Sequence, residues 1–394
     1  MLELLRQGMR KIVATCAAFL FAVFSGWADT NGQLVYLTYN VNGNGAADWS
    51  TNAVQVQAIG RQITYLNPDI IAFNEISTPF RSQLTNWAKA FLSGYYIATN
   101  SLGDGFIQNA IASRYPILSS TSHLNHTSLA AYGYTASTFT RDLFEAQINV
   151  TNYPQPLHVF VAHLKATTGG TNVAVNQDAA DKRAAEASAV SNYIVTVFLT
   201  STNKLHPYIL SGDMNESDSF PETNRYNTGY PIRRFVALPT GLQLTTPVNP
   251  ITHTDLTESI RLPLDTRFDY VLPCNLLFSN IATSQVFRTD LLSPTPPNLN
   301  SIDSSNASDH LPVLMVFNNP YDKPFQLTYF ARTNPGVALK WESVPGQPYR
   351  VQISSNLTTW SVLASNLVAT NYSYTFTTNN VPGSMKFFRI YRGW

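Results

Sequence analysis

Short runs of alternating or continuously apolar residues, separated by amphipathic stretches of helical period, fill the chain from residue 34 to about 318. Runs at 34–40, 69–74, 107–113, 143–150, 157–163, 207–211, 268–272 and 313–317 read as strands, because successive side chains of an extended chain point to opposite faces. The clearest helix spans about 175–199. There Val190, Ile194, Val197 and Phe198 recur at helical spacing, while Asp181, Lys182, Arg183 and Glu186 mark what reads as a solvated side. This helix is expected to pack one face only. Strands that alternate with helices imply an α/β domain rather than a pure β-sandwich.

Residues 319–324, with Pro320 and Pro324 among turn formers, interrupt both periodicities and read as a linker. From 325 to 394 about six short alternating runs follow, among them 326–330, 337–341, 349–353, 372–376 and 387–391. Turns rich in Pro-Gly and Asn separate them, which predicts a small all-β sandwich domain. Trp341, Tyr349 and Trp360 are expected to form its core, since a domain this small needs bulky side chains to bury.

The N-terminal segment differs in kind. Arg6, Arg10 and Lys11 precede an apolar run over 12–24, and Gly26-Trp27-Ala28 offers small residues at the positions a signal peptidase reads. Residues 1–28 are therefore expected to be a signal peptide cleaved near Ala28, giving a secreted, extracellular or periplasmic protein. The apolar run falls short of the roughly 18 to 20 residues of a spanning helix, so no stable membrane insertion is expected. Removing Glu3, Arg6, Arg10 and Lys11 takes 25 cationic and 24 acidic side chains to 22 and 23. No global basic field remains, so a nucleic-acid substrate would have to be drawn by a local patch. Of the two cysteines only Cys274 survives cleavage, which excludes an intramolecular disulfide.

Six short blocks place polar residues at the ends of apolar strands, where the strand supplies rigid support and its end meets solvent. The first sets Thr38, Asn40 and Asn42 on one face, although the Asn42-Gly43 pair also reads as a turn. The second ends an apolar strand in Asn74-Glu75; such a carboxylate must be solvated, paired or bound to a hard cation. In the third, His163 and Lys165 share a face and suit the oxygens of an anionic ester, whereas His158 at the other end of that run reads as a surface residue. The fourth, Gly212-Asp213-Met214-Asn215, sets an acid and an amide two residues apart after a glycine that permits a tight exit. The fifth and sixth supply Asp269 and the run Ser308-Asp309-His310, where a nearby acid can hold an imidazole in one tautomer.

Taken in this order, the blocks resemble the endonuclease/exonuclease/phosphatase superfamily, which includes pancreatic-type deoxyribonucleases, abasic-site endonucleases and bacterial sphingomyelinases. The resemblance covers about residues 33–318. It implies a four-layer α/β/β/α sandwich (deoxyribonuclease I-like), followed here by the small C-terminal all-β sandwich domain, which itself resembles fibronectin-like modules. It further implies a catalytic set of His163, Asp213, Asn215, Asp269 and His310, with His310 as general base. Asn40, Glu75 and Asp309 are implied to hold Mg2+, with Ca2+ or Mn2+ as alternatives. Lys165, Asn42 and Arg183 are expected to contact substrate phosphate, and Lys165, Lys182, Arg183, Arg114 and Arg141 to form a backbone-binding patch. Asn74 stands where family members often carry Gln, and Met214 where Phe is common.

These expectations describe a secreted Mg2+-dependent phosphoesterase acting on nucleic acid or another phosphoester, working as a monomer, with a C-terminal module that binds glycan or a cell surface. A sphingomyelinase-type phospholipase C or other small-phosphoester hydrolase, and a catalytically inert binding or adhesion protein on the same fold, are the competing readings.

Overall fold

The computed structural model describes residues 32–43, 50–100, 102–218, 226, 228–260, 264–333, 336–379, 381 and 386–393. The expected signal peptide, including Cys16, lies outside the described residues.

In chain order the first part comprises β1 (Gln33–Asn40), α1 (Val54–Leu66), β2 (Ile70–Ser77), α2 (Thr78–Phe91), β3 (Tyr96–Thr99), β4 (Ile107–Ser113), β5 (Ile117–Ser122), β6 (Leu143–Ile148), β7 (Leu157–Ala162), α3 (Val173–Tyr193), β8 (Tyr208–Asp213), α4 (Tyr230–Phe235), β9 (Asp269–Pro273), α5 (Asn275–Phe278), β10 (Ile281–Val286), α6 (Asp303–Ala307) and β11 (Val313–Asn318). These strands form a six-stranded sheet, ordered β10-β11-β1-β2-β4-β3, and a five-stranded sheet, ordered β5-β6-β7-β8-β9. The sheets pack face to face. Leu34, Tyr36, Ile70 and Ala72 of the first meet Val159, Val161, Ile209 and Val271 of the second in one buried cluster. On the other face of the first sheet, Val35, Leu37, Ile71 and Phe73 pack against Val56, Ile59 and Ile63 of α1 and Trp87 of α2. Helix α3 covers the outer face of the second sheet, where Tyr193 meets Phe160 edge-on. The order helix, sheet, sheet, helix is the four-layer sandwich.

The apolar strands were legible because burial on both faces removes polar side chains from nearly the whole length of β1, β2, β4, β7 and β8. Strand β5 and the polar side of α3 depart from the sequence reading for opposite reasons. Strand β5, Ile-Leu-Ser-Ser-Thr-Ser, lies at a sheet edge with an exposed middle and so carries no apolar signal. Helix α3 starts at an Asn172 cap whose side chain accepts from Val175 N, and passes into a π-helical turn at Ile194–Phe198. Its expected solvated side is buried at Lys182, Arg183 and Glu186. Arg183 and Glu186 face loops of the second sheet, which supply partners that the helix sequence does not reveal.

His158 is a second correction. It is fully buried rather than at the surface. Its Nδ1 contacts Glu145 Oε1, and its Nε2 lies 2.9 Å from His206 Nδ1. The other oxygen of Glu145 lies 2.5 Å from His123 Nε2, which also meets the Tyr193 hydroxyl at 3.2 Å. Burial opposes ionisation of Glu145, but the two imidazoles that hydrogen-bond it hold its carboxyl down at about 2.

Beyond the first part lie β12 (Leu327–Arg332), β13 (Val337–Glu342), β14 (Pro348–Ser354), β15 (Ser361–Val368), β16 (Ser373–Thr378) and β17 (Phe387–Arg392). They form two three-stranded antiparallel sheets, β12-β13-β16 and β15-β14-β17. Leu339, Trp341, Tyr349 and Val351 are buried between them. Trp360 is not part of this core, contrary to expectation, and stacks on the surface under Arg389, 4.2 Å from its ring centroid.

Candidate active site

Strand parity decides which side chains reach the site. Counting by twos along the inner faces, β1 runs Leu34, Tyr36, Thr38, Asn40; β2 runs Ile70, Ala72, Asn74; and β8 runs Ile209, Ser211, Asp213. Strands β1 and β2 are parallel, as are β7 and β8, so each pair delivers its carboxyl end to one edge of the sandwich. Antiparallel β9 begins there with Asp269, opposite Asp213, and antiparallel β11 starts just after His310.

At this edge the backbone departs from regular strand. Between Phe73 and Ile76 the pairing of β2 with β4 slips, and Glu75 in the bulge takes φ 59°. A bulge re-aims a side chain that regular alternation would send to the other face. The chain at Gly43 passes so close that an added Cβ would lie 1.7 Å from Glu75 O. Asn42, at φ 50°, makes the turn that permits this approach, and its N–H donates to Asn40 Oδ1 at 2.9 Å. The turn reading of Asn42 therefore accounts for its position. Gly212, at φ 129°, leads into Asp213; a Cβ there would meet Ala162 O at 2.1 Å.

Glu75, His163 and Asp213 converge, with ligand-competent atoms all within 4.8 Å of one another. His163 Nε2 lies 3.8 Å from Glu75 Oε1 and 3.4 Å from Asp213 Oδ2. Asn40 Nδ2 donates to Asp213 Oδ2 at 2.9 Å and to Glu75 Oε1 at 3.3 Å. With its oxygen held by Asn42 N–H, Asn40 presents its amide nitrogen to both carboxylates. His310 Nδ1 lies 2.7 Å from Asp269 Oδ2, and its Nε2 3.7 Å from Asp213 Oδ2. Asp213 Oδ1 accepts from Asn215 N at 2.8 Å, an Asx turn that leaves Oδ2 facing the two imidazoles. Asn215, at φ 47°, donates its side-chain amide to Leu164 O at 3.2 Å.

The electrostatics follow from burial and neighbours. Burial pushes Asp213 up to about 7; Asp269 and Glu75 push the same way, and His310 opposes them. Burial also lowers His163 well below the usual histidine value, with Arg141 and His310 adding to the effect. His310 resists its own burial because Asp269 and Asp213 raise it well above that value. Two imidazoles in one cluster are thus driven in opposite directions, His163 down by burial and cationic neighbours and His310 up by carboxylates. Three buried polar atoms here make no hydrogen bond among the described residues: Thr38 Oγ1, His163 Nδ1 and Asp269 Oδ1.

A divalent cation fits this donor set. Two carboxylates and an imidazole gathered in so small a volume carry uncompensated negative charge that a cation offsets. The set differs from the expected one. Asp309 is half-buried, receives Ser308 Oγ at 3.4 Å, and stands outside the group formed by Glu75, His163 and Asp213.

Arg183 does not face the cleft. It is buried in an ion pair with Glu216, at 2.7 Å, and donates to Lys165 O and Thr167 Oγ1. Arg141 donates to His163 O and Leu164 O and pairs with Asp104, while Arg114 bonds Tyr95 and Asn67. These three cations hold loops in place, so the expected backbone-binding patch is not formed. Lys165 remains half-buried beside the site, its backbone clamped by Glu186 and Arg183.

Several residues that the sequence names without a role support the site. Asn74 accepts from Asp213 N and donates to Ala162 O and Asn109 Oδ1; Asn109 in turn reaches Val161 O. Ser308 Oγ donates to Asn40 O and accepts from His310 N. Glu186 on α3 accepts from Thr140 N and Lys165 N. Apart from His310 N, two residues from Ser308, each partner is distant in the chain, so only the fold pairs them.

Comparison with known proteins agrees with this geometry. Residues 37–310 match the Endonuclease/Exonuclease/phosphatase family. A solved endonuclease/exonuclease/phosphatase structure from Beutenbergia cavernae DSM 12333 is 17% identical with a TM-score of 0.53, covering 92% of this chain and 93% of that one. An AP endonuclease from Archaeoglobus fulgidus is 16% identical with a TM-score of 0.50, covering 72% of this chain and 99% of that one. No match is found among curated proteins. With the family match spanning most of the chain and the same four-layer architecture in both solved structures, this chain belongs to the endonuclease/exonuclease/phosphatase family, whose members are generally phosphoester hydrolases.

Proposed function

We propose that this protein is an exported, divalent-metal-dependent phosphodiesterase whose substrate is nucleic acid. The observation that carries the reading is the dyad of His310 and Asp269, 2.7 Å apart, set against Asp213 at the edge where Glu75 and His163 also converge. Structural histidines do not need a second carboxylate aimed at the free ring nitrogen. A base that takes a proton from water and must hold it does.

Asp269 fixes the tautomer of neutral His310 by accepting from Nδ1, which leaves Nε2 to receive the proton of an attacking water, and a cation at Glu75 and Asp213 would offset the carboxylate charge that otherwise favours the protonated imidazole. Asp213 Oδ2, near both imidazoles, orients that water and stabilises the imidazolium that results. His163 stays neutral in its buried position, which leaves an Nε2 lone pair for the cation, and Asn215 is an uncharged donor to a phosphoryl oxygen. Glu75, His163 and Asp213 are the residues to hold the cation, with Asn40 bracing both carboxylates. When bound, the cation lowers the negative charge of the carboxylate pair and that developing on the phosphoryl oxygens. Donors fixed before substrate arrives favour the charged transition state over the ground state.

The nucleic-acid reading draws support from the AP endonuclease that shares the fold. Export rests on the N-terminal run of Arg6, Arg10 and Lys11 followed by apolar residues and Ala28. The test is incubation of the purified chain with Mg2+, Mn2+ or Ca2+ against single-stranded DNA, plasmid, RNA, sphingomyelin and a bis-aryl phosphate. Metal-dependent cleavage of a nucleic acid is expected. Release of choline phosphate without nucleic-acid cleavage selects the phospholipase reading, and no hydrolysis of any ester with any metal returns the inert binding protein.

A further inference from the structure

The charge of the chain is divided unevenly. Residues 325–394 hold six cationic side chains, Arg332, Lys340, Arg350, Lys386, Arg389 and Arg392, against one acid, Glu342. Residues 29–324 hold 16 cationic against 22 acidic side chains. Four of the six cations lie on or beside β14 and β17, whereas Glu342 ends β13 in the other sheet.

Strand register gathers Arg350 and Arg389 on one face, whereas Arg392, opposite Tyr349, donates to Tyr321 O. Arg350 lies opposite Tyr391, and Gln352 opposite both Arg389 and Val362, while Phe388 and Ile390 point the other way into the module core. The Arg389 guanidinium sits 4.2 Å from the Trp360 ring centroid and 4.7 Å from that of Tyr391. Its Nε donates to Gln352 at 2.8 Å, and Trp360 Nε1 donates to Leu357 O at 3.0 Å. Ring, guanidinium and ring are thereby locked into a ladder across a solvent-facing sheet. A hollow of about 240 Å³ beside Trp360 includes Lys386 in its wall, and another of about 210 Å³ beside Tyr391 includes Arg350 and Arg392.

We propose that this face of β15-β14-β17 binds single-stranded nucleic acid, with bases stacking on Trp360 and Tyr391 and phosphates meeting Lys386, Arg389 and Arg350. Flat rings fixed among cations match alternating bases and phosphates. A neutral glycan would use the rings but leave the cations unmatched. An anionic membrane would engage the cations but has no flat groups to stack on the rings. The proposal deepens the nucleic-acid reading of the substrate, on which it rests, by giving the strand a second point of attachment apart from the catalytic cleft.

The test measures fluorescence anisotropy of labelled oligothymidylate with the full chain carrying His310→Ala, so that cleavage does not intervene. Salt-sensitive binding is expected, weakened about tenfold by Trp360→Ala and by Arg389→Ala and largely retained in Trp360→Phe. With His310 intact, Trp360→Ala leaves hydrolysis of the bis-aryl phosphate unchanged. Should thermal melting show Trp360→Ala unfolded, Arg389→Gln and Lys386→Ala carry the same measurement. Unchanged affinity in the folded variants overturns the proposal, as does tighter binding to heparin or to phosphatidylserine vesicles than to oligothymidylate. Strand binding by a chain that hydrolyses nothing refutes the enzymatic reading and leaves the ladder standing; hydrolysis with ladder variants that bind normally does the reverse.

Discussion

Strand β7 carries a histidine near each end, and the two have opposite fates. His158, at the amino end, points to the helix-covered face and has both ring nitrogens engaged, by Glu145 and His206. His163, just past the carboxyl end, points between the sheets and keeps a buried Nδ1 without a partner among the described residues. Around the first, the carboxyl is held down at about 2; around the second, Asp213 is pushed up to about 7. The contrast separates a cluster that is satisfied by its own members from one that is complete only when something else enters. Burial of charge is common to both, and unmet demand belongs to one.

Variants can break this comparison at either end. The largest effect is expected from His310→Ala, which should lower kcat roughly a hundred- to ten-thousandfold while the melting temperature stays near that of the native chain; steady-state kinetics beside a calorimetric melt check both. Glu75→Gln should come next: turnover falls, and the metal concentration for half-maximal activity rises, because one of two carboxylates facing the cation is gone. A metal titration with unchanged midpoint would remove Glu75 from the ligand set. At the other cluster, Glu145→Ala should cost about 3 to 5 kcal/mol of stability by stranding two buried imidazoles, read by urea denaturation, with turnover per folded molecule preserved.

The smallest effect is one of pH. In the folded chain burial lowers His206 to about 4, with His158 adding to the effect, and Glu145 stands at about 2. Both values lie below those of an unfolded chain, so the unfolded state binds more protons as acid is added. The stability from these groups is complete above pH 6.5 and declines as pH falls, first through His206 between about 6.5 and 4, then through Glu145 between about 4.5 and 2. Melting temperature should therefore drop on acidification, and His206→Gln should flatten the upper part of that slope. A slope identical in the variant would mean that His206 does not contribute.

What the sequence reveals follows the same division. Glu75, Asp213, Asn215, Asp269 and His310 stand at the tips of long apolar runs, and an apolar run that ends in an acid or imidazole is visible without knowing its neighbours. Glu145, Arg183, Glu186 and His158 lie inside elements, where a charged residue reads as solvated unless its partner is known. Glu216 is 33 residues from Arg183, and Thr140 is 46 from Glu186. Trp360 misled in the other direction, since a tryptophan in a small domain suggests core until Arg389 is seen above it. The polar edge strand β5 escaped for want of any pattern.

Between the two sheets, polar groups also cross the apolar filling. The Tyr36 hydroxyl lies 2.5 Å from Ser211 Oγ, and the Asn74 side chain reaches Ala162 O and receives Asp213 N. These crossings act like stitches through a quilt. Sliding one layer over the other would tear each of them in a water-free interior, so the spacing of carboxylates and imidazoles is set when the chain folds, and choice among esters falls to the loops around the rim.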